Sequence, residues 1–407
     1  MKVDDSVPQP FSQSDLHPAP EAAPSLAVMH AVFVLAGLGT MLLGPILPLL
    51  ARHWSLNDSQ SGLLLLAQFI GATIGGVTVS SKLATGLARG LLAANIGFLI
   101  FAEAPNLYVA LPALVLGGFG VGRIIATVNI IAGARYTANR GSALARLNFT
   151  WSFGALLSPL LAAWLIPHIP LGYLLISFAT LFLLCAVALI AQLRPWIKAG
   201  PAHTSEITST TIPEPTIAPR LFLYFATLLF LYGGIETCLS GWLTTYALRS
   251  GQTSLVLSEY TMVLLLCGLT AGRALASWLL LKMRDTTLQR IALVLSAALA
   301  AALALAHKAA WIASLAVLLG VALAPIFPAT FAIFMENRPP ARTAGIVLAA
   351  SGLGAAALPW LMGVISTHTG SLQVALALPV AAAITLLLMS VFENRQKTLE
   401  PRQSPGP

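Results

Sequence analysis

Twelve stretches of this chain carry almost no charge, and each is close to the roughly 20 apolar residues a helix needs to cross a bilayer. They lie at 26–51, 60–81, 83–102, 107–134, 143–166 and 169–191, then, after a polar break, at 221–247, 260–281, 288–306, 310–335, 343–366 and 371–392. Of the 407 residues, 57% are hydrophobic and only 9% charged, with a mean hydropathy of +0.85. A soluble globular surface uses about 25% charged residues, so a water-exposed fold cannot be built from this chain. Lipid offers backbone groups no partner, which leaves helices or closed barrels as spanning forms. Barrel strands would alternate polar and apolar residues, and these runs do not. An all-α membrane protein of twelve transmembrane helices is therefore expected, embedded in a lipid bilayer.

The net charge of +8 would suggest nucleic acid as a partner in a soluble protein. Here the basic residues fall between apolar runs, where they set orientation instead, and no nucleic-acid partner is expected. With the N-terminus placed in the cytoplasm, only Arg52, Arg249 and Lys308 lie in outer loops and Arg123 and Arg273 within helices; the remaining 17 of the 22 Lys and Arg residues are cytoplasmic. This predicts a multi-pass protein of a cell inner (plasma) membrane with both termini cytoplasmic. Residues 1–24 are polar, lack a basic-then-apolar leader pattern and read as a disordered cytoplasmic tail. Cys185, Cys238 and Cys267 all sit in apolar runs without metal-type or redox-type spacing, so neither a disulfide framework nor a metal site is expected.

The polar segment 192–220 is the one long internal loop and reads as a cytoplasmic linker between a bundle at 25–191 and a bundle at 221–393, followed by a tail at 394–407. Internal repetition agrees. Gly71, Thr73, Gly75 and Ser80 match Gly268, Thr270, Gly272 and Ser277 at an offset of 197, while Gly120, Val121, Gly154, Ala155 and Pro159 match Gly320, Val321, Gly354, Ala355 and Pro359 at an offset of 200. Two pseudo-symmetric six-helix bundles are the architecture of a transporter that rocks around a central site. Pro325, Pro328 and Pro359, inside the tenth and eleventh spans, serve either close packing or gating bends.

The chain resembles the major facilitator superfamily, and within it the fucose permease-like sugar symporters. The likeness rests on Gly118-Phe119-Gly120-Val121-Gly122 with Asn129, on Arg146-Leu147-Asn148-Phe149 leading to Gly154 and Pro159, on Tyr232-Gly233-Gly234-Ile235-Glu236 through Gly241-Trp242 to Tyr246, on Gly272-Arg273, and on Ala324-Pro325-Ile326-Phe327-Pro328. It implies a central cavity lined by spans 1, 4, 7 and 10, alternating access driven by protons or sodium, and a monomer. Two departures stand out. The loop after the second span, Ser80 to Arg89, lacks the acid that the superfamily usually carries there as a latch to a helix end, and spans 1 and 4 lack the carboxylates common in the fucose permease-like branch.

A charge deep in a span costs at least about 2.5–3.5 kcal/mol and needs a reason. Three occur: Arg123, Glu236 and Arg273. Low dielectric favours the neutral carboxyl of Glu236 and a nearby arginine favours the ionised one; held between the two, it can load and release a proton. The alternative is a static ion pair. Tyr232 and Ser240 lie four residues to either side, on one helical face with it. Arg123 is expected in the cavity, with a structural anchor as the alternative; Arg273 is expected in gating or structural duty. A sugar calls for amides and an aromatic face, for which Asn129, Gln68, Asn148, Trp151, Trp242 and Trp360 are the candidates, although amides in lipid also serve as interhelical glue. There is no phosphate loop, metal motif or nucleophile arrangement, so no enzyme, no cofactor and no metal is expected. The sequence reads as a secondary active transporter of a small polar solute, a sugar first, coupled to protons. Exporters of drugs or metabolites, carriers of anions, and a membrane sensor or scaffold that moves nothing are the alternatives.

Overall fold

The computed structural model describes residues 24–56, 58–198, 217–250 and 261–399. Fifteen helices and no strand occur among them: α1 (Leu26–Met41), α2 (Leu43–His53), α3 (Asp58–Val77), α4 (Leu83–Ala102), α5 (Leu107–Arg135), α6 (Arg140–Leu165), α7 (Leu171–Lys198), α8 (Pro219–Ser250), α9 (Thr261–Leu279), α10 (Asp285–Ala304), α11 (Ala309–Leu323), α12 (Ile326–Met335), α13 (Ala341–Thr369), α14 (Leu372–Ala375) and α15 (Ala377–Leu399). They make twelve spans, because α1 with α2 forms the first, α11 with α12 the tenth and α14 with α15 the twelfth. Among the described residues, nine helical stretches are long and apolar enough to cross a membrane. The first two spans are apolar but shorter, and the fifth, α6, is diluted by Arg140, Ser142, Arg146, Asn148, Ser152 and Ser158.

The helices reach further than the polar composition suggested. The sixth span runs to Lys198 and the seventh starts at Pro219, both inside the stretch read as linker, and α15 continues to Leu399 through part of the expected tail. The N-terminal tail and residues 199–216 lie outside the described residues. Side chains start several helices: Ser25 accepts a hydrogen bond from the Val28 amide and Asn106 from the Val109 amide, each satisfying a donor that the first turn leaves unpaired.

Two spans are interrupted, and the residues explain where. Pro325 has no N–H for the Val321 carbonyl and Pro328 none for that of Ala324, so the tenth span breaks between Leu323 and Ile326. The first span breaks at Leu42; there the Gly39 and Thr40 carbonyls accept from Nε2 of Gln68, at 3.0 and 3.1 Å. A glutamine of the second span thus pairs backbone groups that the break would leave open in an apolar interior. Pro359, by contrast, sits within an unbroken α13, its carbonyl accepting from Nε1 of Trp242 at 3.0 Å.

Within each bundle, glycines let helix backbones touch, and the contacts recur between the halves. A methyl group at Gly37 would strike the Trp151 carbonyl and one at Gly154 the Val34 carbonyl, where the first and fifth spans cross; Gly233 meets Ser351 and Gly354 meets Phe230 where the seventh and eleventh do. Likewise Gly71 and Gly118 meet Val115 and Gln68 between spans 2 and 4, and Gly268 and Gly320 meet Val317 and Leu265 between spans 8 and 10. These pairs equate Gly118 with Gly320, an offset of 202 rather than the 200 read for Gly120 and Val121 from sequence. The offset of 200 holds for the fifth and eleventh spans and 197 for the second and eighth.

The halves meet towards the end of the molecule that carries the basic loops around Lys82, Arg140 and Arg284. Gly76 packs on Ala349 and Gly133 on Met335; Ser142 donates to the Ser277 carbonyl at 2.6 Å. A small apolar cluster of Ala145, Ala276, Leu280 and Leu288 seals the crossing of spans 5 and 8. The Asp285 carboxylate lies against Gly141, in the first turn of α6, where a helix favours an anion. The acid missing from the loop after the second span therefore has a counterpart in the other half. Around the outside, Leu184, Val187, Leu275 and Trp360 are exposed, a surface suited to hydrocarbon rather than water.

Candidate functional site

Above the Gly76–Ala349 contact, between the two halves, lies a cavity of about 160 Å³. Its walls are largely apolar, with Met41, Phe69, Val121, Ile125, Phe327 and Leu348 among them. Among the described residues that line it, only Glu236 and Arg273 are charged. The repeat explains why these two meet there. At the first/seventh-span offset of 196, Glu236 occupies the position of Thr40, and at the second/eighth-span offset Arg273 occupies that of Gly76; Thr40 and Gly76 line the same cavity from the other half.

Arg273 is nearly enclosed, its side chain 3% exposed. Nη1 donates to the Ser152 hydroxyl, Nη2 donates to the Tyr232 hydroxyl at 3.2 Å, and Nη2 stands 3.6 Å from Oε2 of Glu236. The last distance is an electrostatic contact without a made hydrogen bond. The guanidinium also lies over the indole of Trp151, 5.1 Å from the ring centroid, an arrangement that a planar cation and an electron-rich face favour. Nε of Arg273, Nε1 of Trp151 and Oε1 of Gln68 are buried without hydrogen-bond partners, and all three residues line the cavity.

The residues singled out from sequence divide into three groups. Glu236, Tyr232, Gln68, Asn148 and Trp151 line the cavity, as does Arg273, which had been assigned to gating or structure. Asn129 is one step behind: its amide donates to the Ile125 carbonyl and its oxygen accepts from Asn148 Nδ2 at 3.2 Å. Ser240, whose hydroxyl donates to the Thr237 carbonyl, and Trp242 are not among the lining residues. Trp360 is 69% exposed on the outer surface, because it lies on the opposite face of α13 from the cavity residues Ser351, Gly352 and Ala355.

Arg123 requires the main correction. It does not line the cavity or pair with Glu236; Nε donates to the Gly86 carbonyl at 3.2 Å, and Nη1 to the Thr78 carbonyl at 2.8 Å and the Thr78 hydroxyl at 3.0 Å. The anchor alternative describes this geometry, since the guanidinium ties together the ends of α3 and α4 across the turn that lacks its acid. Thr73, Thr237 and Ser351 line the cavity too and were not singled out. Hydroxyls on helices are common and Thr237 bonds its own backbone at Gly233, so only the repeat register and the seventh-span face would have pointed to them. No group of three metal-binding side chains occurs among the described residues.

A family model described as Major Facilitator Superfamily matches residues 29–346. Among characterised proteins, the chain is 22% identical over 383 residues to Bypass of stop codon protein 6 of Saccharomyces cerevisiae, across 84% of this chain and 76% of that protein. It is 24% identical over 283 residues to the niacin transporter NiaP of Acinetobacter baylyi, across 60% and 63%. Among solved structures, the transporter FucP in the outward conformation superposes with a TM-score of 0.71 at 18% identity, across 90% of this chain and 97% of FucP. The proton:xylose symporter XylE bound to 6-bromo-6-deoxy-D-glucose superposes with a TM-score of 0.72 at 14% identity, across 91% and 94%. At such identities these structures share the fold with this chain and no more.

Proposed function

This chain belongs to the major facilitator superfamily, and from that premise we propose that it is a secondary active transporter that moves a small polar solute by alternating access, coupled to protons through Glu236. The observation that carries the proposal is the placement of the chain's deep carboxyl 3.6 Å from Arg273 on the wall of the cavity between the halves. The carboxyl of such a pair can be ionised or protonated. With Glu236 ionised the pair neutralises itself; with Glu236 protonated the guanidinium is left to a solute or to its other partners. Solute and proton occupancy are thereby linked in one site.

The excess of Lys and Arg at one end supports placing that end, and both termini, in the cytoplasm of a cell inner membrane. The halves pack at that end, so the arrangement described is closed to the cytoplasm. Arg273, Tyr232, Gln68, Asn148 and Trp151 are the proposed solute contacts, with Asn129 supporting Asn148, and a monomer suffices because both walls come from one chain. A sugar is the cargo that the likeness to FucP and XylE favours, and an aromatic acid the one that NiaP favours. Sodium in place of the proton is the competing coupling ion.

Proteoliposomes with an imposed proton gradient test this, with labelled D-glucose, D-glucuronate, nicotinate and ethidium offered in turn. Accumulation of one of the first three, collapsed by a protonophore and indifferent to sodium, is expected. Movement of ethidium alone would replace the reading with a drug exporter, and accumulation that follows sodium would remove Glu236 from proton duty.

A further inference from the structure

The polar groups of the cavity are not suited to every small solute. A sugar presents many hydroxyls and needs amides with free donors and acceptors. Here the Gln68 amide hydrogens are committed to Gly39 and Thr40, and the Asn148 amide hydrogens to Leu144 and Asn129. The hydroxyls of Thr40, Thr73 and Thr237 donate to their own helices. Among the buried side-chain atoms of the described lining residues, one acceptor, Oε1 of Gln68, and two donors in stacked side chains, Nε of Arg273 and Nε1 of Trp151, have no partner. Glu236 does not close a hydrogen bond with the guanidinium, and no other acid occurs among the described residues that line the cavity.

A cation, an N–H donor stacked beneath it and a wall of Phe69, Val121, Ile125 and Phe327 make a site with one anion-binding corner and an otherwise apolar interior. Arginine's planar fork suits a carboxylate, which it can hold by two parallel hydrogen bonds. We infer that the solute is a monocarboxylate with a flat apolar body, and that its carboxylate takes the place of ionised Glu236 at Arg273. This rests on the transporter reading above and names its cargo.

The charge balance makes the link to protons definite. Glu236, Arg273 and Tyr232 are the charged or titratable groups facing this corner from spans 7 and 8; spans 5, 10 and 11 contribute Trp151, Ser152, Phe327 and Ser351, which carry no charge. The corner is neutral with Glu236 ionised. An anion entering then repels the carboxylate and leaves a net negative charge, whereas an anion entering with a proton on Glu236 keeps the corner neutral. The proton comes from the water on the side to which the cavity opens, and binding of the anion therefore takes up a proton.

The test is binding to the purified full chain, read by calorimetry, of benzoate against its neutral isostere benzamide, with D-glucose alongside. Benzoate is expected to bind at least about tenfold more tightly than benzamide, the discrimination that a charge-assisted bond supports. Its affinity should rise as the pH is lowered within the range in which benzoate itself stays ionised like other carboxylates. Glu236→Gln should remove that pH dependence while keeping the preference, and Arg273→Gln should remove the preference. Equal binding of benzamide, failure of benzoate to bind, or D-glucose binding in its place would each overturn the inference. The comparison of the two ligands on the unmutated chain decides the matter even where a variant fails to fold. Gradient-driven uptake is read separately: uptake of D-glucose with protons would sink the carboxylate and leave the transporter standing, and absence of all uptake would sink the transporter.

Discussion

Glu236 can shed its charge by taking a proton; Arg273 cannot, and that asymmetry governs what substitutions at the pair do. Glu236→Gln removes the counter-charge of a guanidinium that is 3% exposed while leaving its bonds to Ser152 and Tyr232, and should lower the unfolding temperature. Replacing both, as Glu236→Gln with Arg273→Gln, removes the stranded charge, so the double variant should unfold at a higher temperature than Glu236→Gln alone; a lower one would show that the pair is not coupled. Arg123 belongs to a different economy of contacts, holding two turns of backbone at Gly86 and Thr78. Arg123→Gln should cost about 1.5–3 kcal/mol in thermal unfolding and leave solute affinity unchanged. The cost of burying charge made all three residues legible in the sequence. Which arginine faces the glutamate was not, because depth along a helix follows from counting, whereas rotation about its axis follows from packing against neighbours.

At the scale of helices, the broken first span depends on a residue of the second. Gln68→Leu would leave the Gly39 and Thr40 carbonyls without their donor in an apolar surrounding, a loss of about 1–3 kcal/mol for each group left unsatisfied, whereas Gln68→Asn would shorten the reach rather than remove the chemistry. Unfolding temperatures ordered wild type, then Asn, then Leu would support the capping role; equal values for Leu and wild type would refute it. The spans themselves were readable from apolar length alone. The repeat was readable in outline, but the fourth span, with Gly117, Gly118, Gly120 and Gly122, offers a glycine match at more than one offset. Only the carbonyl that each glycine meets, Gln68 for Gly118 and Leu265 for Gly320, fixes the register at 202. Sequence alignment also had no means of telling that Trp360 faces outwards, since an aromatic residue beside a proline occurs on either face.

For the whole molecule, closure at the basic end is the state described, and it makes a geometric prediction. Gly76→Cys with Ala349→Cys, in a background without the three native cysteines, places two Cβ atoms about 3 Å apart, just under the roughly 3.5–4.5 Å that a disulfide spans and within a small relaxation of it. The pair should cross-link readily in the resting protein, and less in a Gly141→Leu variant, whose side chain displaces Asp285 from the first turn of α6; failure to cross-link at all would mean that the closed arrangement is not the resting one. The six-plus-six fold was legible because duplication and the polar midpoint both announce it, while the side of closure was not, because it depends on contacts between halves that no local pattern encodes. Whether the Glu236–Arg273 pair couples proton to solute is tested most directly by reconstituting wild type and Glu236→Gln and measuring two quantities for the solute the wild type concentrates: its exchange across the membrane at equal pH, and its accumulation against a gradient. The account predicts that Glu236→Gln keeps exchange and loses accumulation together with solute-evoked proton movement. Undiminished accumulation in Glu236→Gln would contradict it.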